Sequence, residues 1–328
     1  MNSKVVFVSF LFITCNFYTQ VSEQRIVESI QSQIPVSISI QQITNNSEFH
    51  QTFSEKDYVM SFCQLYAPDY VSLIQSSYSS PNSWIRTVNG VMQSNNFNAQ
   101  NREDLINEFG TIIHETTHSK NSSNGFLIDP SNYIVLTDRE SQISNKFFNS
   151  DVIEKIVSIE AQGKLFRYET YISKQSSVGA NVQGIVGLMD EYSAYQNGCS
   201  AALIAYDNAL KKKDTTLAIT FLKSALATHF AYYEFNVFIG AYVKYARLYN
   251  SEVYQEILSL NTLKKAYYLN TQRFLNSLQI IQSASNRLKE NYRSVKYTAE
   301  YYNNTYVEFA KEYLKNFETD LQALNSYP

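Results

Sequence analysis

Histidine, cysteine, proline and glycine are all scarce in this chain: four, three, five and nine residues among 328. So little glycine excludes a collagen repeat. It also disfavours a turn-dense sandwich or a Rossmann-type phosphate loop, which need glycine where the backbone turns left-handed or meets a phosphate. Three cysteines cannot build a disulfide scaffold or a cysteine-rich zinc module. Charge of one sign is lacking too. Twenty-seven Lys+Arg against 30 Asp+Glu leave a net charge of −3, which provides no basic footprint for nucleic acid. Chemistry that needs imidazole must therefore come from His50, His114, His118 or His229. What the chain does have is 44% hydrophobic and 17% charged residues, the balance of a globular protein long enough for one large domain or two smaller ones.

At the N-terminus, Lys4 precedes an apolar run from Val5 to Thr14. Ten residues are too few to span a bilayer but suit the apolar region of a signal peptide. Residues 1–20 are accordingly read as a leader, and the mature chain as secreted or extracytoplasmic. Cys15 offers a lipid anchor as the alternative, although Phe12-Ile13-Thr14 makes a poor lipobox. Loss of the leader leaves Cys63 and Cys199, which read equally as a pair or as two buried free thiols. The stretch from Ala225 to Val243 carries only His229 and Glu234 as ionisable residues. Its Thr228, Asn236 and tyrosines are expensive in hydrocarbon, so it is expected to form a central buried helix and not a membrane span.

Breakers divide the rest. Pro35, Pro68, Pro81 and Pro130 all precede residue 131, and after Gly198 only Gly240 remains. From about residue 187 onward, apolar residues recur at helical spacing, as in Leu203, Tyr206 and Leu210, or Leu275, Leu278, Ile281 and Leu288. The pattern predicts four or five long helices with breaks near Lys213-Asp214, Asn250-Ser251 and Asn291 to Lys296. Earlier, Val36 to Ile40 alternates as a strand does, and Tyr133 to Thr137 is strand-like. Asn82 to Asn101 reads as loop. Glu103 to Lys120 reads as a helix with Leu105, Ile106, Phe109, Ile112 and Ile113 along a broad face. The expected fold is α+β: a small mixed α/β part over 21–186, then a mainly α-helical part over 187–328, with 151–186 fitting either.

Within the helix expected at 103–120 stands His114-Glu115-Thr116-Thr117-His118. Residues i and i+4 share one helix face, so both imidazoles can bind one ion. Glu115 points beside that ion, where it can take a proton from an attacking water and return it to a leaving amine. Zinc suits this donor set, because it works with three protein ligands and keeps an open position. The motif resembles that of the zincin metallopeptidases, which implies His114 and His118 as zinc ligands and Glu115 as the catalytic base. Lys120 departs from that pattern, where an apolar residue is usual, and suggests that the helix ends early, within Ser119 to Ser123.

A third ligand must come from elsewhere. Asn124 excludes the metzincin subclass, which wants a third histidine six residues after the second. The better candidate lies in Gly184-Ile185-Val186-Gly187-Leu188-Met189-Asp190-Glu191-Tyr192-Ser193-Ala194-Tyr195. Gly179, Gly184, Gly187 and Gly198 crowd around it, as a loop that turns tightly and launches a helix would require. Glu191 near the start of that helix resembles the gluzincin arrangement, in which a downstream helix donates a glutamate as third ligand. Asp190 competes with it, as do Glu140, Glu160, Glu169 and Glu234. An acid that does not ligate is placed to orient a histidine through Nδ1–H. For the oxyanion donor, Tyr195 lies one turn after Glu191, and His229 is the alternative.

These residues point to a secreted or surface zinc-dependent metallopeptidase acting on a peptide or protein substrate. A non-catalytic extracytoplasmic helical binding protein is the competing reading, motivated by the tyrosines of the helical part. Ordinary helix packing, with hydroxyls at the surface, is the plainer account of those tyrosines. The approach of Glu191 to the two imidazoles separates the two functions.

Overall fold

Helix-terminating chemistry sets the element boundaries in the computed structural model, which describes residues 55–78, 102–121, 125–173, 179–303 and 306–326. The leader expected at 1–20 with Cys15, the strand expected from Val36 to Ile40, His50 and the loop expected from Asn82 to Asn101 lie outside the described residues. Helices α1 (Glu55–Tyr66), α2 (Val71–Tyr78), α3 (Arg102–Asn107) and α4 (Phe109–Asn121) come first. A hairpin of β1 (Gly125–Asp129) and β2 (Asn132–Val135) follows, then α5 (Asp138–Ser144) and several single helical turns between 150 and 182. The remainder is α6 (Gly184–Lys211), α7 (Thr215–Thr228), α8 (Ala231–Tyr249), α9 (Ser251–Ser259), α10 (Asn261–Lys289), α11 (Arg293–Asn303), α12 (Tyr306–Leu314) and α13 (Glu318–Asn325).

The described residues are thus mostly helical with one small antiparallel sheet, pairing Gly125 with Val135 and Leu127 with Tyr133 before an irregularity ahead of Asp129. The expected mixed part is more helical than its sequence suggested. Asp214 and Asn250 stop their neighbours as expected, each side chain accepting the backbone N–H three residues on, from Leu217 and Val253. A further break was not foreseen. The single helix expected from Ala225 to Val243 is two, because Thr228 Oγ1 donates to the Ser224 and Ala225 carbonyls and His229 Nδ1 engages the Leu226 carbonyl at 2.5 Å. Side chains thereby take over the last carbonyls of α7, and the chain turns at His229-Phe230. No described helix is long and apolar enough to cross a membrane.

Helix α6 runs through the middle, packed against α4, α7, α8, α10 and β1. Its buried Gly198, Ala201, Ala202 and Ala205 permit close approach. One close crossing is with α4, where a Cβ on Gly198 would stand 2.7 Å from the Gly110 carbonyl oxygen. Gly184 begins α6 at φ +57°, and a Cβ there would meet the Phe148 carbonyl at 2.4 Å. The glycine cluster therefore divides its work: Gly184 makes the turn, whereas Gly198 serves a helix crossing instead of a loop.

Several tyrosine hydroxyls point inward, contrary to the surface placement expected. Tyr70, Tyr192, Tyr242 and Tyr267 are fully buried. Tyr70 donates to Asn197 Oδ1 at 3.3 Å, Tyr242 to the Phe148 carbonyl at 2.6 Å and Tyr267 to Asn236 Oδ1 at 2.5 Å. A phenol can enter a core when its hydroxyl finds such a partner. Cys63 and Cys199 are free and buried, and burial pushes both thiols up to about 12.

Because the Gly110 carbonyl cannot yield as a flexible side chain would, Gly198→Ala should force α4 and α6 apart and destabilise the fold by about 1–3 kcal/mol. Thermal unfolding measures this against Gly163→Ala, whose Cβ meets nothing nearer than 3.9 Å and should leave the midpoint unchanged.

Candidate metal centre

Helix α4 buries Phe109, Ile112 and Ile113 and so turns its histidine face toward α6. Thr116 and Thr117, inside the motif, are buried and return their hydroxyls to the Ile112 and Ile113 carbonyls at 2.7 and 2.8 Å. The helix ends at Asn121, within the stretch that Lys120 suggested. His114 Nε2 and His118 Nε2 face each other at 2.9 Å. Across the crossing, Glu191 Oε2 lies 3.6 Å from His114 Nε2 and 3.3 Å from His118 Nε2.

This donor set fits a zinc-type ion by its spacing. Ligand atoms about 2.0–2.1 Å from a tetrahedral ion stand about 3.3–3.4 Å apart, close to the spacings here. In addition, Glu191 Oε2 is buried against the two imidazoles, where its charge is answered either by a protonated His118 or by a metal ion. Among the described residues, His114, His118 and Glu191 form the group able to hold a metal.

Asp190 does not join that group. Its Oδ2 meets His118 Nδ1 at 2.9 Å, and its Oδ1 accepts from Asn121 Nδ2 at 2.7 Å. Asn121 Oδ1 in turn accepts the Leu127 N–H at 2.7 Å, tying the end of α4 to β1. The Leu127 carbonyl is taken by Ser193 Oγ at 2.5 Å and Asn197 Nδ2 at 2.9 Å. With Asp190 accepting Nδ1–H, His118 presents Nε2 to the cluster. Burial opposes charge on His118, but the Glu191 and Asp190 carboxylates outweigh it and hold its pKa well above the ordinary value. His114 shifts the other way: burial, then the nearby His118 and Arg167 charges, keep it neutral.

Glu115 stands at the mouth, its side chain 36% exposed and its Oε1 4.0 Å from His114 Nε2. Burial of its carboxyl raises its pKa, His118 opposes, and Glu191 and Asp190 add to the rise. Tyr195 packs edge-on against the His114 ring with centroids 4.4 Å apart, and its hydroxyl lies 3.1 Å from that of Tyr171. Burial pushes the Tyr195 phenol up while Arg167 draws it back.

The remaining candidates lie elsewhere. Glu160 pairs with Lys164 at the surface, Glu169 is exposed, and Glu234 is buried against Arg167. His229 is buried at the α7–α8 turn, where burial lowers its pKa to about 4. Glu140 completes a capping box with Thr137 and accepts from Thr262 N and Oγ1 at 2.9 and 2.7 Å. Burial alone would raise its pKa, but these hydrogen bonds outweigh burial and hold it low. Sequence reasoning passed over Asn121, Tyr171 and Arg167. Each acts through a partner distant in the chain, and nothing in its local pattern marks it.

Two outcomes follow from these contacts. Asp190→Asn, which weakens the hold on His118, should lower zinc affinity about 10- to 100-fold by chelator competition while the fold persists. Glu140→Gln should cost about 1 kcal/mol at neutral pH. Since the folded-state pKa of Glu140 is depressed, its contribution is present above the unfolded value of about 4.3 and is lost as pH falls through the folded one. The gap between wild type and variant in thermal melts should therefore close in acid.

No protein-family model, curated protein or solved structure matches the chain.

Proposed function

We propose that the chain is a zinc-dependent hydrolase acting on peptide bonds. The observation that supports this best is the meeting of His114, His118 and Glu191, from two helices, with Glu115 beside them at the accessible edge. Zinc, when bound by these three residues, would supply Lewis acidity toward a carbonyl and make water acidic enough to react near neutral pH. The chain's own groups carry the proton and the geometry.

Glu115 receives the proton of the attacking water and delivers it to the amine that leaves. Its place beside the cluster, with part of its side chain open to solvent, suits both halves of that transfer. Asp190 fixes the His118 ring and the nitrogen it presents. The Tyr195 hydroxyl donates to the oxygen that becomes negative as water adds. His229, held by the Leu226 carbonyl, takes no part. We further propose, from the apolar run Val5 to Thr14 alone, that this activity is exerted outside the cytoplasm. The competing binding-protein reading keeps part of its motive: in the helical part Tyr192, Tyr206, Tyr242 and Tyr267 are buried, whereas others such as Tyr249, Tyr268 and Tyr297 are exposed.

Purified mature chain should contain zinc and cleave members of a broad peptide library. Glu115→Gln should retain the metal and lose about 10²- to 10⁴-fold in turnover. Absence of zinc would discard the metal reading, and undiminished cleavage by Glu115→Gln would discard that residue as the base.

A further inference from the structure

Behind Tyr195 sits a buried cation whose placement the hydrolytic reading does not require. Arg167 lies with its guanidinium carbon 4.3 Å from the centre of the Tyr195 ring and 4.6 Å from that of Phe230. Its Nη1 donates to Glu234 Oε2 at 2.5 Å, and its backbone N–H to Glu234 Oε1 at 3.0 Å. Glu234 is wholly buried and also accepts from the Tyr306 hydroxyl. Tyr306 stacks on Phe166 with centroids 4.1 Å apart and accepts the Phe166 N–H at 3.3 Å. The cation is thus fixed from α8 and α12 at once.

An anion-binding role for Arg167 does not fit. Glu234 balances its charge and the residue is buried, so an incoming carboxylate meets neither a net positive charge nor an accessible edge, even though Nε has no partner. What it touches toward the centre is Tyr195, and Tyr195 touches His114. A planar cation on a ring restrains ring rotation and draws electron density from the phenol, a role lysine cannot fill in the same way. The Tyr171 hydroxyl, 3.1 Å from that of Tyr195, fixes the remaining direction.

We propose that Arg167 is a positioning residue: anchored by Glu234, it clamps Tyr195 against His114 and holds the Tyr195 hydroxyl ready to donate to a tetrahedral anionic oxygen at the open side of the centre. This rests on the metal-hydrolase reading. It assigns work to a residue pair, Arg167 and Glu234, that lies far from the motif in sequence and makes no contact with substrate.

Removing Arg167 alone would strand the Glu234 charge and threaten the fold. The test therefore removes both charges, in R167Q/E234Q, and compares it with Y195F and with the triple variant. Each is loaded with Co²⁺, and methylphosphonate, a tetrahedral anion, is titrated while the visible absorption of the cobalt is followed. All four proteins should bind cobalt with similar spectra. R167Q/E234Q and Y195F should each weaken methylphosphonate binding about tenfold, and the triple variant should be no weaker than Y195F. Factors that multiply in the triple variant would overturn the proposal, because Arg167 would then act independently of Tyr195. So would wild-type affinity in R167Q/E234Q, or a cobalt-loaded wild type that takes up no methylphosphonate. If R167Q/E234Q does not fold, R167K keeps the ion pair but not the planar stacking. It should bind methylphosphonate more weakly than wild type, and equal binding would count against the clamp. Failure of the wild type to bind cobalt at all is a different result, since it removes the metal centre itself and the clamp with it.

Discussion

The distance between α4 and α6 governs the rest of the molecule, because each helix carries a part of the centre that is inert without the other. Two glycines, 110 and 198, face each other where the helices cross, and the backbone of one lies where a side chain of the other would be. That contact brings the Glu191 carboxylate beside two imidazoles. It also sets the reach of Asp190 to His118 and of Tyr195 to His114. Small residues on one face of α6 therefore set the geometry of the cluster as much as the packing.

Around this crossing the polar groups are arranged in opposed pairs. The two imidazoles share a face but not an environment, since His118 lies among carboxylates and His114 beside a cation and a phenol. Farther out, Leu127 is a junction where the end of α4, the strand β1 and the middle of α6 meet through Asn121, Ser193 and Asn197. A two-stranded hairpin has little stability alone. Here its buried strand is held by side chains from both site helices, so the sheet and the centre stiffen each other.

Local patterns made some of this legible in the sequence. Helical spacing put His114 and His118 on one face, and the glycines around Glu191 announced a turn followed by a helix. Side-chain caps at Asp214 and Asn250 likewise declare themselves locally. What escaped was tertiary. Arg167, Tyr171, Glu234 and Tyr306 meet only after folding, and any of the chain's tyrosines would have served equally well on paper. The break at His229-Phe230 was hidden because Thr228 and His229 compete for α7 carbonyls without the glycine or proline that usually marks a helix end. Gly198 was misjudged for a related reason: a glycine for close approach and a glycine for a turn look alike in sequence.

The ligands also differ in how far apart the chain sets them. His118 and Glu191 are separated by the hairpin, α5 and all the short turns between 150 and 182, so a link between them closes a long loop. Closing such a loop removes conformational entropy from the unfolded chain, by an amount that grows only slowly with its length. An ion shared by the two helices would act as a clip at the base of this loop. Arg167 and Tyr171 are carried within it, so the same clip would fix the segment that shapes the wall of the site.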